Sequence, residues 1–352
     1  MTDAFTDRAV SFVKEAAAKK DPFMLYLAYV APHWPLHARE ADVAPHRERY
    51  RKLGWDQARA QRFQRQRDMG VIPRDWQLSP RLAGIHDWQT DKHQEWQAER
   101  MAVYAAQVTS IDQGVGQLLD TLKQQDIAGD TLILFLSDNG AAVEGGVMPT
   151  DSGFGFDAKG PNDWRLDGVP IRPGSGPNNL PGPHDSFAGY GPAWANVSNT
   201  PFRQDKLTAF EGGIRTPLIA HWPAVIRRKG GWSEEVGHVF DLMPTCLELA
   251  GAKYPKEFEG KKLLPLEGIS LAPIFRGEKS SGHELLAWNA PKNQALRWRQ
   301  WSLVNAGPQK AWELYDLNAD GTQTKNLADS HPKLVQELAE KYQAWTVRCA
   351  GD

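Results

Sequence analysis

The sequence predicts an α/β fold with a mixed, mainly parallel sheet flanked by helices, followed by a small antiparallel sheet with one covering helix. Three observations predict it. Two continuous apolar runs, residues 23–30 (F-M-L-Y-L-A-Y-V) and 131–137 (T-L-I-L-F-L-S), have the length of strands. They lack the alternation of a half-exposed strand, as strands buried on both faces of a parallel sheet do. Each run follows a segment whose apolar residues recur at helical spacing. Beyond residue 281 the texture changes to short strand-like segments and a final helix, the pattern of a separate α+β layer. Two domains are therefore expected, residues 1–281 and 282–352.

The elements follow in order. Residues 6–20 read as a helix: Ala9, Phe12, Val13 and Ala16 share a face, Lys19 and Lys20 close it, and Asp21-Pro22 stops it. The strand at 23–30 ends in A-P-H-W-P, where two prolines block both strand and helix. Residues 40–68 are charged and helical. Residues 95–123 form a long amphipathic helix with Met101, Tyr104, Val108, Ile111, Val115 and Leu118 near one side. The second apolar run delivers Asp138-Asn139-Gly140 at its end. Residues 145–201 are rich in Gly, Pro, Asn and Asp, and so long an irregular stretch is expected to be functional. Its Trp164 and Trp194 are expected to shape a pocket, where they could stack on an aryl or sugar group. A short strand at 217–222, a helix at 241–250 capped by Asp241 and Gly251, and a linker at 254–281 come next. The tail offers strands at 285–288, 300–304 and 312–317, then a helix at 332–345.

Composition excludes several classes. With 41 basic and 43 acidic residues the net charge is −2, and no basic stripe suits nucleic acid. No apolar run is long enough to span a membrane. The N-terminus has no basic start or apolar core, so this sequence opens on no signal peptide. The two cysteines, Cys246 and Cys349, are too few for a disulfide framework or a cysteine zinc site.

Candidate chemistry gathers where strands end, because open α/β sheets bind ligands beyond their carboxyl ends. His33 follows the first run and Asp138-Asn139 the second. An Asp and an Asn are hard oxygen donors of the kind Ca²⁺ and Mg²⁺ prefer, although S-D-N-G is equally ordinary turn chemistry. In N-T-P-F-R-Q-D-K-L-T-A-F-E-G-G-I-R, residues 199–215, Lys206 is either a point charge for an oxyanion or a solvated loop lysine. The paired Gly212-Gly213 imply a turn or a close backbone approach.

Taken in order, A-P-H-W-P, Y-A-A-Q-V-T-S-I-D-Q-G-V-G, F-L-S-D-N-G, N-T-P-F-R-x-x-K with E-G-G-I-R-T-P, and D-L-M-P-T-C-L-E-L-A-G resemble the type I sulfatases, especially the bacterial arylsulfatases. The tail W-E-L-Y-D-L-N-A-D-G-T is similar to their C-terminal domain. The resemblance implies an alkaline-phosphatase-like fold and metal-assisted hydrolysis of a small sulfate ester, aryl or sugar. It implies that Asp138 and Asn139 are metal ligands, for Ca²⁺ or alternatively Mg²⁺. It implies that His33 and Lys206 contact the sulfate, with His33 passing a proton to the leaving oxygen. A phosphate or phosphonate ester hydrolase of the same superfamily is the neighbouring reading.

The family's nucleophile is a formylglycine made from the Cys or Ser of Cys/Ser-x-Pro-x-Arg, and no such motif occurs in the 352 residues. The early Asp-Asp metal pair is absent as well. The resemblance places all of these upstream of Met1, so the chain is expected to be a C-terminal portion. It would be truncated, or completed by an N-terminal chain or by oligomerisation, or a non-catalytic relic. A periplasmic or extracellular location is implied by the resemblance alone.

Overall fold

The computed structural model describes residues 1–143, 167–172, 176–228, 230–305 and 311–350. They fall into two compact units, each taken by itself.

The first unit comprises Met1–Ile127, Gly140–Arg215 and Ala319–Thr324. Its scaffold is the three helices that periodicity predicts: α1 (Thr2–Lys19), α2 (Glu40–Asp68) and α3 (Gln94–Gln124). Helix α1 buries Thr6, Ala9 and Val13, and it ends where Lys20 turns left-handed and its amide reaches back to the Ala16 and Ala17 carbonyls. Helices α2 and α3 pack together and are laced by Arg47–Glu99 at 2.7 Å and Arg51–Glu95 at 2.6 Å. Helix α2 kinks at Gly54, whose φ is 58° and whose absent Cβ would lie 2.3 Å from the Trp88 ring. Glycine is thus required twice there, for conformation and for room.

Two short helices complete the unit, α4 (Gly191–Ser198) and α5 (Glu211–Ile214). Helix α4 lies inside the stretch expected to be irregular, and Pro192 sits in its first turn, where no amide hydrogen is needed. It carries Trp194 into the core. There Trp194 is fully buried against Trp55 at 5.9 Å and Tyr50 at 5.6 Å, edge to face. Trp194 is therefore a core anchor and not the pocket wall expected of it. Trp164 lies outside the described residues.

Residues 23–30 also depart from expectation. The segment is extended, with Leu25, Leu27 and Tyr29 half-buried and Met24 and Tyr26 76% and 83% exposed, yet it joins no strand ladder among the described residues. A buried strand needs hydrogen-bonding neighbours on its edges, and the described residues supply none. Its anchor is instead Tyr29, whose hydroxyl shares a 2.7 Å hydrogen bond with Thr6 of α1.

The second unit comprises Ala128–Asn139, Thr216–Asn318 and Lys325–Asp352. Strands β1 (Ile133–Leu136) and β2 (Leu218–His221) pair antiparallel, with Leu134 opposite Ala220. Helix α6 (Leu242–Leu249) follows Asp241, which is wholly buried. Its carboxylate accepts from the His238 and Ile269 amides and lies 2.8–2.9 Å from His283 Nε2. The predicted linker holds a small hairpin, β3 (Glu257–Phe258) with β4 (Lys261–Lys262), and a short helix α7 (Ala272–Arg276).

The tail is the antiparallel sheet the sequence predicts, with one strand more. It runs β5 (Leu285–Asn289), β6 (Gln294–Trp298), β7 (Trp301–Asn305) and β8 (Trp312–Asp316) in sequence order. The register sets Leu296, Leu303 and Leu314 abreast, and Leu338 of α8 (Pro332–Ala350) packs on them. All four are fully buried, each contributing about 1.5–3 kcal/mol. Strand β6, Q-A-L-R-W, escapes the sequence reading because its two ends are polar or half-buried.

Candidate functional site

The site in the first unit is built from a loop that closes on itself. Asn199 ends α4, and its side chain takes over the backbone of residue 141. Its Oδ1 accepts from the Ala141 amide at 2.7 Å, while Nδ2 donates to the carbonyls of Ala141 at 3.3 Å and Gln204 at 3.1 Å. The Lys206 amide donates to the same Ala141 carbonyl at 3.0 Å. The Gly140 amide donates to Gly213 at 2.9 Å, and the Gly212 amide to Arg203 at 3.0 Å. These strands of chain touch: a Cβ on Gly140 would sit 1.8 Å from the Gly212 carbonyl oxygen. This explains the glycines of S-D-N-G and E-G-G as close approaches.

The charges around the loop are internally matched. Glu211, 3% exposed, pairs with Arg215 at 3.2 Å one helical turn on. The Arg215 guanidinium covers the rings of Trp76 and Phe202 at 5.0 and 5.1 Å. From the far tail, Gln323 Oε1 accepts the Glu211 amide at 2.8 Å and its carbonyl accepts Arg203 at 3.1 Å.

Against this frame Lys206 projects its ammonium to within 3.3 Å of His33 Nε2, although 173 residues separate them in sequence. An ammonium can only donate, so Nε2 accepts. The other ring nitrogen then carries the hydrogen, and Nδ1 donates to the Trp34 carbonyl at 2.6 Å. These two contacts suit the Nδ1–H tautomer of His33, with its Nε2 lone pair turned towards a cation. The pair lies at the surface. His37 is exposed and bonds the Ser186 carbonyl at 2.7 Å, so it tethers a loop. Asn199 is the residue that sequence reasoning left without a role. Its one signal was its place directly before T-P-F-R in the same motif as Lys206.

Asp138 and Asn139 lie in the second unit, just past the end of β1, as the sequence predicts. Asp138 is exposed, and the Asn139 carbonyl accepts from the Ser137 hydroxyl at 3.0 Å. The pair has the donor chemistry of a Ca²⁺ or Mg²⁺ site, one carboxylate and one amide. Its number falls short, since Ca²⁺ takes 6–8 oxygens and no three Asp, Glu, His or Cys side chains converge among the described residues. The residues fit the ion in kind and do not by themselves make a cage for it. Among the described residues no helix is long and apolar enough to cross a membrane.

Comparison with known proteins agrees with this arrangement of motifs. The chain is 32% identical to an uncharacterised sulfatase of Schizosaccharomyces pombe over 96% of its own length and 59% of that protein's. It is 33% identical to an arylsulfatase of Klebsiella aerogenes over 78% of its length and 55% of the relative's. It thus spans little more than half the length of these curated relatives. Its fold matches that of a protein solved in complex with its substrate D-glucosamine-2-N,6-O-disulfate. The TM-score is 0.59 at 16% identity, covering 100% of this chain and 70% of that one. Residues 202–347 match the C-terminal family of N-sulphoglucosamine sulphohydrolase. Residues 1–252 match the sulfatase family, and the chain belongs to it.

Proposed function

We propose that this chain carries the sulfate-gripping part of a sulfuric ester hydrolase acting on small-molecule sulfate esters. The observation that supports it most directly is the 3.3 Å approach of Lys206 Nζ to His33 Nε2, a cation and a proton carrier on one surface. A sulfate ester placed there would take the Lys206 ammonium onto a non-bridging oxygen, where it offsets the charge that repels a nucleophile. With Lys206 turned to the sulfate, Nε2 is freed to face the bridging oxygen. Having taken a proton from solvent at Nε2, His33 would pass it to the departing alcohol, while Nδ1–H stays on the Trp34 carbonyl and keeps the ring aimed. Asp138 and Asn139, in the second unit, would contribute two oxygen ligands to a Ca²⁺ or Mg²⁺ ion, a source of Lewis-acid charge stabilisation when bound. The formylglycine nucleophile is proposed to come from a segment other than these 352 residues, in the same polypeptide or a complementing one. The sugar sulfate bound by the structural neighbour and the arylsulfatase relative support sugar or aryl sulfates as the substrate class.

The test is hydrolysis of a chromogenic aryl sulfate by the chain with Ca²⁺, alone and after mixing with the formylglycine-bearing fragment of a related sulfatase. Activity only on mixing is expected. Activity of the chain alone would sink the assignment of the nucleophile. Faster cleavage of the matching aryl phosphonate on mixing would move the reading to phosphonate esters.

A further inference from the structure

A cavity of about 330 Å³ opens in the first unit, lined among others by Trp55, Asp56, Arg59, Arg81, Ala193 and Asn196. Its lining sets two arginines against one aspartate. Asp56 is fully engaged: it accepts from the Trp88 amide at 2.9 Å and pairs with Arg81 at 2.7 Å. Arg81 also holds Asp87 at 2.7 Å. Arg59 has no carboxylate in ion-pair or hydrogen-bond contact among the described residues, and only the nearby Asp56, already taken up by Arg81, offsets its charge. Its guanidinium donates to Ser79 Oγ at 2.8 Å, while its Nε is buried without a hydrogen-bond partner. Asn196, 1% exposed, has neither its amide nitrogen nor its amide oxygen paired.

Buried cations are ordinarily paired, because stripping water from a lone charge costs several kcal/mol. Burial, and behind it the like charge of Arg81, pulls Arg59 down to about 10, which leaves it cationic at neutral pH. Water in the cavity satisfies an amide but neutralises nothing. An oxyanion does both. Arg59 offers donors in a planar fork, and Asn196 offers one donor group and one acceptor. That combination suits an oxyanion whose hydroxyl, or for free sulfate a bound water, donates to the amide oxygen. The volume sits at the small end for ligand pockets, about 300–1,000 Å³, which is room for an inorganic anion or a single sugar.

We propose that this cavity binds a small oxyanion, either free sulfate or the carboxylate of an acidic sugar, through Arg59 and Asn196 with Trp55 as the apolar wall. The site uses neither His33 nor Lys206, and it stands whether or not the chain cleaves sulfate esters.

Tryptophan fluorescence reads it, because Trp55 lines the cavity and Trp88 and Trp194 lie 4.7 and 5.9 Å from it. The 352-residue chain is titrated with sodium sulfate, sodium glucuronate and, at matched ionic strength, sodium chloride, with thermal midpoints recorded in parallel. A saturable response and a raised midpoint are expected with sulfate or glucuronate and not with chloride. The tighter of the two names the source of the oxyanion. Asn196→Asp and Arg59→Gln should each weaken binding about tenfold or more, and Lys206→Ala should leave it unchanged. No saturable response to either anion in the unaltered chain overturns the proposal, even if the variants fail to fold. So does a response that Lys206→Ala abolishes and the two cavity variants retain.

Discussion

The loop that carries Lys206 and the apolar run at residues 23–30 are opposite kinds of structure within one unit. In the loop the polar groups find partners both near in sequence, Asn199 on Gln204, Gly212 on Arg203 and Thr208 on Asp205, and far from it, on Ala141 and Gln323. The run has the stronger apolar signal, yet it forms no ladder among the described residues and turns Met24 and Tyr26 outward. The contrast teaches that a motif rich in Gly, Asn and Pro satisfies its polar groups by specific local and long-range bonds, whereas an apolar strand specifies only that it needs a partner.

Breaking the loop should have the largest effect. Gly140→Ala forces a methyl into the Gly212 carbonyl, 1.8 Å from where the Cβ would sit. About 3 kcal/mol of stability should be lost, read from the denaturant midpoint. Asn199→Ala removes a side chain that serves three backbone groups in a buried place. It should cost about 2 kcal/mol, and Asn199→Asp should recover part of this, since it keeps the acceptor for the Ala141 amide. At the tip of the loop, Lys206→Ala should change stability by less than about 0.5 kcal/mol. Its effect should fall on catalysis instead, lowering aryl sulfate turnover in the mixed assay about a hundredfold. A similar loss of stability would mean that Lys206 belongs to the frame.

The run should be nearly indifferent to such changes. Met24→Glu and Tyr26→Glu should move the unfolding midpoint by less than about 0.5 kcal/mol while reducing self-association in size-exclusion chromatography, because both side chains are exposed. Strong destabilisation would show that the run is packed in solution. The smallest signal is expected from Ca²⁺. With only Asp138 and Asn139 as proposed ligands, calorimetry on the isolated chain should show no binding tighter than about 10⁻³ M.

The same contrast governs what could be read from the sequence. Helices α1 and α3 were legible to within a few residues at each end, because their hydrogen bonds run from each residue to the one four before it. The tail strands were legible as short apolar segments, except β6. Helix α4 was hidden by the glycines and prolines around it, and with it the true role of Trp194, a core anchor whose burial depends on tertiary packing with Trp55 and Gln97, 139 and 97 positions away. His33 and Lys206 were found by motif order. Their contact spans 173 residues, and no local pattern encodes it.

One thread of the tail has a consequence for how the chain is made. Residues Ala319–Thr324 leave the second unit to join the first, and there Gln323 ties Glu211 and Arg203 from 112 and 120 positions downstream. Synthesis proceeds from the N-terminus at about 5–20 residues per second. The helices can therefore assemble on the ribosome while the frame behind Lys206 stays open, its last ties arriving only when residue 323 has cleared the exit tunnel. The frame around Lys206 is thus closed by a segment translated more than a hundred residues after it.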